Sequence, residues 1–69
     1  MKLSARNILK GEVVSVIKGA VNSEVIIQLP GGDQIVSIIT NSSAENLELK
    51  KGKSAYAVIK ASNVMIAVD

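Results

Sequence analysis

An arginine between a hydroxyl and a carboxamide, in Ser4-Ala5-Arg6-Asn7, is the first set of side chains in this sequence that could do specific chemistry. A guanidinium presents its N–H groups as a fixed fork, and a serine hydroxyl beside it adds a donor that rotates to suit. Together they suit a tetrahedral oxyanion, bound through charge-assisted hydrogen bonds. Arg6 is the only arginine of the chain. Far along the sequence, Lys60-Ala61-Ser62-Asn63 sets a second cation beside a second hydroxyl. Backbone N–H groups near Ala5 and Ala61 can add a small anion nest. Taken singly, each residue has a plainer role. Arg6 and Lys60 are solvated cations, Ser62-Asn63 is a turn pair, and Asn7 bonds local backbone. Taken together, the two segments point to the binding of a small inorganic anion.

Composition removes most alternatives. The sequence holds no cysteine and no histidine. Disulfides, thiolate metal sites, catalytic triads and histidine acid–base chemistry therefore have no residues to use. The six acidic residues are scattered, without the spacing of a carboxylate pair or a calcium loop. Net charge is +2, which suits a small anion but is mild for nucleic acid. Met1-Lys2 is followed by no apolar core of a signal peptide, and the longest apolar runs, Ala55 to Ile59 and Val64 to Val68, fall well short of a membrane span. The expectation is a single cytoplasmic domain over residues 1–69, not an enzyme, with no membrane association.

Eighteen residues are valine or isoleucine, a strand-forming composition. A first strand is expected from about Leu3, and certainly from Gly11, to Lys18. Gly19 and Asn22, both tolerant of positive φ, bracket a turn. A second strand follows over Val21 to Leu29. Pro30-Gly31-Gly32-Asp33 reads as a type II turn with Gly31 at positive φ. A third strand spans Gln34 to Thr40. Ser42-Ser43-Ala44-Glu45 reads as a capping box opening a short helix, which Lys50-Lys51-Gly52 closes. Lys53 to Ile59 and Val64 to Val68 complete the strands. The expected fold is all-β: a five-stranded OB-fold barrel with one short helix between strands three and four.

Side-chain alternation carries a further inference. The second strand sets Val21, Val25, Ile27 and Leu29 on one face. Three others are apolar on both: Val13 and Ile17 against Val14 and Val16, Ile35 and Ile39 against Val36 and Ile38, and Val64, Ile66 and Val68 against Met65 and Ala67. A barrel of this size has only one interior, so a second apolar face predicts a homo-oligomer. Tyr56, the sole aromatic, is assigned to core or interface packing.

Ser-Ala-Arg-Asn followed two residues later by Lys-Gly resembles the molbindins, or Mop family, of small molybdate-binding proteins. The similarity continues through Lys18-Gly19, Glu24-Val25, Gly31-Gly32, Ser37-Ile38-Ile39, Ala57-Val58-Ile59-Lys60 and Val64-Met65-Ile66. The resemblance implies a store for molybdate and tungstate, with no organic cofactor. It implies a hexamer assembled as a trimer of dimers. It implies a site at a subunit interface, with Ser4, Ala5 and Arg6 from one chain and Lys60, Ala61 and Ser62 from another. A second class of site, built from backbone groups on threefold axes, is assigned to Gly19, Ala20, Val21 and Asn22. Two alternatives stand beside it. A nucleic-acid-binding OB domain needs an aromatic stacking platform, which one tyrosine cannot make. A pterin site, which an older name of the family suggests, needs stacking partners that only Tyr56 and Arg6 offer.

Overall fold

The computed structural model describes residues 1–69. Its architecture is one curled antiparallel sheet of four strands with a short helix. The strands are β1 (Asn7–Lys18), β2 (Asn22–Gln28), β3 (Gln34–Thr40) and β4 (Ser54–Ile59), in spatial order β3-β2-β1-β4. The helix α1 (Asn41–Asn46) lies between β3 and β4. A turn of 3-10 helix, η1 (Ala61–Asn63), follows β4.

β1 is long enough to serve two neighbours. Its second half pairs with β2, from Glu12 opposite Gln28 to Lys18 opposite Ser23. Its first half pairs with β4, from Asn7 opposite Ile59 to Glu12 opposite Ser54. The sheet bends sharply where the strand changes partner. A β-bulge between Val13 and Ser15 falls just beyond that corner, where extra local twist is needed.

The bulge corrects part of the alternation argument. It adds one residue to β1, so Val13 and Val16 both pack into the core while Ile17 turns outward. The mixed pattern of the first strand is therefore a register change within one chain. β3 is different: Ile35 and Ile39 pack inward, whereas Val36 and Ile38 are about 60% exposed. Its second apolar face is real.

The core is small. Val13, Val25, Ile27 and Ala57 form its centre, flanked by Val16, Leu29, Ile35, Ile39, Leu49 and Ala55. Only six of 69 residues are buried, consistent with the limited interior available to so short a chain. Tyr56 is outside it. The ring is half exposed and lies under the Lys10 ammonium, 5.9 Å from centroid to nitrogen.

Four other expectations are revised. The fifth strand is absent from the protomer: beyond Val64 the chain has no strand pairing, and Met65, Ile66 and Val68 are almost fully exposed. An extended segment becomes a strand only when a ladder partner runs beside it, and no segment of its own chain does. The positive φ in the hairpin loop belongs to Gly32, at 99°, not Gly31. Gly32 donates to the Leu29 carbonyl at 2.9 Å and Leu29 donates to the Asp33 carbonyl at 2.7 Å, so Pro30 opens a type I turn that ends in a glycine bulge. In the first turn neither Gly19 nor Asn22 has positive φ. What Gly19 supplies is room, since a Cβ there would lie 2.8 Å from the Asn22 carbonyl oxygen.

The helix also begins and ends elsewhere. Thr40 is the cap: its Oγ1 accepts from the Ser43 N–H at 3.1 Å. That uses the last residue of β3 as the helix start and makes Ser42 helical. At the other end Glu48 takes φ of 53°. Its N–H donates to the Glu45 carbonyl and the Leu49 N–H donates to the Ala44 carbonyl, at 2.9 and 3.0 Å. This is a Schellman ending with glutamate where glycine is usual. Lys53 adds to this ending, donating through Nζ to the Leu47 and Glu48 carbonyls at 2.6 and 3.4 Å. Gly52 has positive φ, 95°, but sits in the following turn.

Candidate oxyanion site

The β1–β4 ladder determines where the two chemistry-bearing segments lie. Its last pair is Asn7 opposite Ile59. Continuing that antiparallel register sets Arg6 opposite Lys60, Ala5 opposite Ala61 and Ser4 opposite Ser62. The chains are no longer paired there, so they separate and leave a concavity. All six residues line it, together with Val58, and its volume is about 620 Å³.

Local structure shapes both walls. On one side, η1 folds the chain back as soon as β4 ends, with the Asn63 N–H donating to the Lys60 carbonyl at 2.9 Å. The first N–H groups of such a turn have no acceptor within it, which leaves donors at Ala61 and Ser62. On the other side, Ser4 to Arg6 approach β1 without secondary structure of their own. Asn7 ties the walls together: its Nδ2 donates to the Ile59 carbonyl at 3.2 Å.

The electrostatics are one-sided. Arg6 and Lys60 line the same depression, and no carboxylate does. The chain's one ion pair, Lys18 with Glu45 at 3.6 Å, lies elsewhere and is largely exposed. Two adjacent cations without a counter-charge repel each other, and an anion between them turns that repulsion into attraction. Ser4 and Ser62 bring hydroxyl donors to the same place. Apart from Ala5, which is half-buried, the six residues are exposed, so a bound ion would be wet on one side of the isolated protomer. Both triplets come from one chain here. The resemblance sets the two triplets on neighbouring copies, and the β1–β4 register brings them to one depression within a single chain as well.

The segment assigned to a second site is held differently. Gly19 donates to the Asn22 carbonyl at 2.8 Å, which consumes one N–H of the turn. The Gly19 and Val21 carbonyls both accept from Asn41, from Nδ2 and from the backbone N–H, each at 2.9 Å. Asn41 Oδ1 accepts from the Ser23 hydroxyl at 2.6 Å. Ser23 is the one fully buried polar residue. The turn is thus rigidly fixed to the start of α1. Ala20 and Val21 are exposed on its crest, Val21 by 71%.

Two residues organise these places in ways the sequence does not show. Asn7, expected to bond local backbone, instead reaches across the ladder to Ile59. Asn41 falls between the expected third strand, ending at Thr40, and the expected capping box at Ser42, and carries no role in the sequence. The side chains at the main site are donors, none suited to acting as a general base. The arrangement can bind and orient an anion.

Comparison with known proteins shows the family of the chain. Residues 3–66 match the family model of the TOBE domain. "Molybdenum-pterin-binding protein 3" of Clostridium pasteurianum is 52% identical over 66 residues, which cover 96% of this chain and 97% of that protein. The structure of MopII from Clostridium pasteurianum, in an apo form, superposes with a TM-score of 0.92 at 46% identity, over 97% of this chain and 100% of that one. The cytoplasmic molybdate-binding protein ModG, in a form with molybdate bound, superposes with a TM-score of 0.91 at 54% identity, over 94% of this chain and 46% of that one. No helix in the chain is long and apolar enough to cross a membrane. By sequence and by fold, this chain belongs to the TOBE-domain family, among its small molbindin, or Mop, proteins.

Proposed function

We propose that this chain binds molybdate, and tungstate by the same contacts, as a cytoplasmic store that buffers the free oxyanion. The observation that carries the proposal is the convergence of Arg6 and Lys60, without a carboxylate partner, on one depression with Ser4 and Ser62. Arg6 offers a bidentate contact, Lys60 a point charge, and the hydroxyls and the N–H groups near Ala5 and Ala61 the remaining bonds. The names of the relatives, which refer to molybdenum and molybdate, support the same ligand.

Selectivity follows from the donor set. Molybdate, tungstate and sulfate are unprotonated dianions near neutral pH and need only donors. Phosphate there retains a proton, and no carboxylate lines the depression to accept it. Cavity size then separates the larger metal oxyanions from sulfate.

The functional form is a homo-oligomer, a hexamer arranged as a trimer of dimers, with the anion sealed at an interface. Two exposed apolar surfaces support this. One is the outward face of the sheet, where Ile17, Val36 and Ile38 are each about 60% exposed. The other is the tail, Val64 to Val68. A chain with so few buried residues gains most of its remaining stability by covering such surfaces. The tail becomes the fifth strand of the expected OB barrel in the assembled state. The crest of the Gly19–Asn22 turn, including Ala20 and Val21, would supply a second class of oxyanion site. Pterin and nucleic-acid binding are less well supported, because Tyr56 is engaged with Lys10 and does not line the depression.

Equilibrium dialysis with elemental analysis tests the ligand. Molybdate and tungstate should be retained, with phosphate retained far less. At fixed protein concentration, molybdate should also raise the melting temperature by mass action. No shift at saturating molybdate overturns the proposal.

A further inference from the structure

We propose that Asn7 is a positioning residue for the oxyanion site, setting the spacing of Arg6 and Lys60 without touching the ion. This rests on the molybdate reading above and deepens it. Asparagine is a poor strand former, yet it opens β1 in a half-buried position. Its carboxamide explains the placement: Nδ2 crosses the ladder to the Ile59 carbonyl at 3.2 Å. Arg6 is the residue before Asn7, and Lys60 is the residue after Ile59. The bond therefore ties the two strands one peptide away from each cation.

Ladder ends open easily, since their last bonds are exposed. At this end, opening would let two like charges drift apart, which is the direction their repulsion already favours. A receptor whose cations must be brought together on binding loses affinity to that ordering, whereas a preorganised one does not. Asn7 holds the ladder closed against the repulsion before the ion arrives. The Arg6 and Lys60 side chains then need only select rotamers.

The test separates positioning from simple stability. Asn7→Val keeps a good strand former at the position and removes the donor. Molybdate affinity is measured by titration calorimetry, and melting temperature without anion is measured in parallel, for the parent, Asn7→Val and Arg6→Ala. The expected result is an unliganded melting temperature for Asn7→Val close to the parent's, with molybdate bound about tenfold more weakly, the factor for one hydrogen bond. Arg6→Ala should lose more. Asn7→Ser, whose hydroxyl is too short to reach the Ile59 carbonyl, gives the same test should the valine variant fold poorly. Parent-like affinity in a folded Asn7 variant, alongside clear loss in Arg6→Ala, overturns the proposal alone. Parent-like affinity in both Asn7→Val and Arg6→Ala removes the oxyanion site itself, and this inference with it.

Discussion

Gly11 passes directly beneath the Gln28 carbonyl, so closely that a Cβ at Gly11 would lie 2.5 Å from its oxygen and 2.5 Å from Ile27 Cγ2. This is the corner where β1 leaves β2 and takes up β4. The sheet can curl there only because one residue has no side chain. The β1–β4 ladder that begins at this corner runs out to the rim where Arg6 and Lys60 stand. Gly11→Ala should therefore cost about 2 kcal/mol through overpacking against backbone. Urea denaturation would read this as a lower midpoint with the slope retained.

Arg6→Ala and Lys60→Ala should each weaken molybdate binding by about one to two orders of magnitude, since hydrogen bonds to charged groups are worth about 1.5–3 kcal/mol. Both side chains lack an acidic partner within the chain, so the melting temperature without anion should hardly change. Calorimetric titration of each variant checks the first statement, and a thermal melt the second. A variant that melts early yet binds normally would assign the residue to structure.

Glu48 occupies a backbone conformation, φ of 53°, that disfavours any residue with a Cβ. Glu48→Gly should accordingly raise stability by about 0.5–1 kcal/mol, because the Schellman bonds to Glu45 and Ala44 are kept while the strain is removed. The gain is visible as a higher melting temperature of the anion-free protein. A fall would mean that the glutamate side chain stabilises the helix end by some other contact.

Asn41→Ala removes the carboxamide that accepts from Ser23 and donates to Gly19. The Ser23 hydroxyl is buried and would lose its acceptor, at a cost of about 1–3 kcal/mol. Hydrogen exchange should report faster opening of residues 19–23 than of the β1–β4 ladder. Uniform acceleration across the sheet would indicate global destabilisation.

Val36→Lys and Ile38→Lys put charge on the outward face of β3 without entering the core, which Ile35 and Ile39 occupy. Sedimentation should find the parent as an oligomer at micromolar concentration and the double variant shifted toward smaller species. A monomeric parent would end the assembly proposal outright.

The residue types alone determined the chemistry available. Without histidine, cysteine or paired carboxylates, the sequence left an arginine, a lysine and two serines as the specific groups, and those are receptors for an anion. It determined most of the strand content too, since valine and isoleucine runs between Gly, Pro and Asn turns have few other uses. Termini of elements were less legible. The cap at Thr40 and the ending at Glu48 depend on which side chain reaches which backbone group, and short polar residues two positions apart compete almost equally for that role. Register was not legible at all. The bulge beside Val13 reassigns Val16 and Ile17 to opposite faces, and the tail that alternates like a strand finds no ladder within its own chain. The tertiary structure alone decided that Asn7 meets Ile59. That single alignment, between residues 52 positions apart, brings two distant cations to one rim, because an antiparallel ladder fixes every later pair once one is fixed.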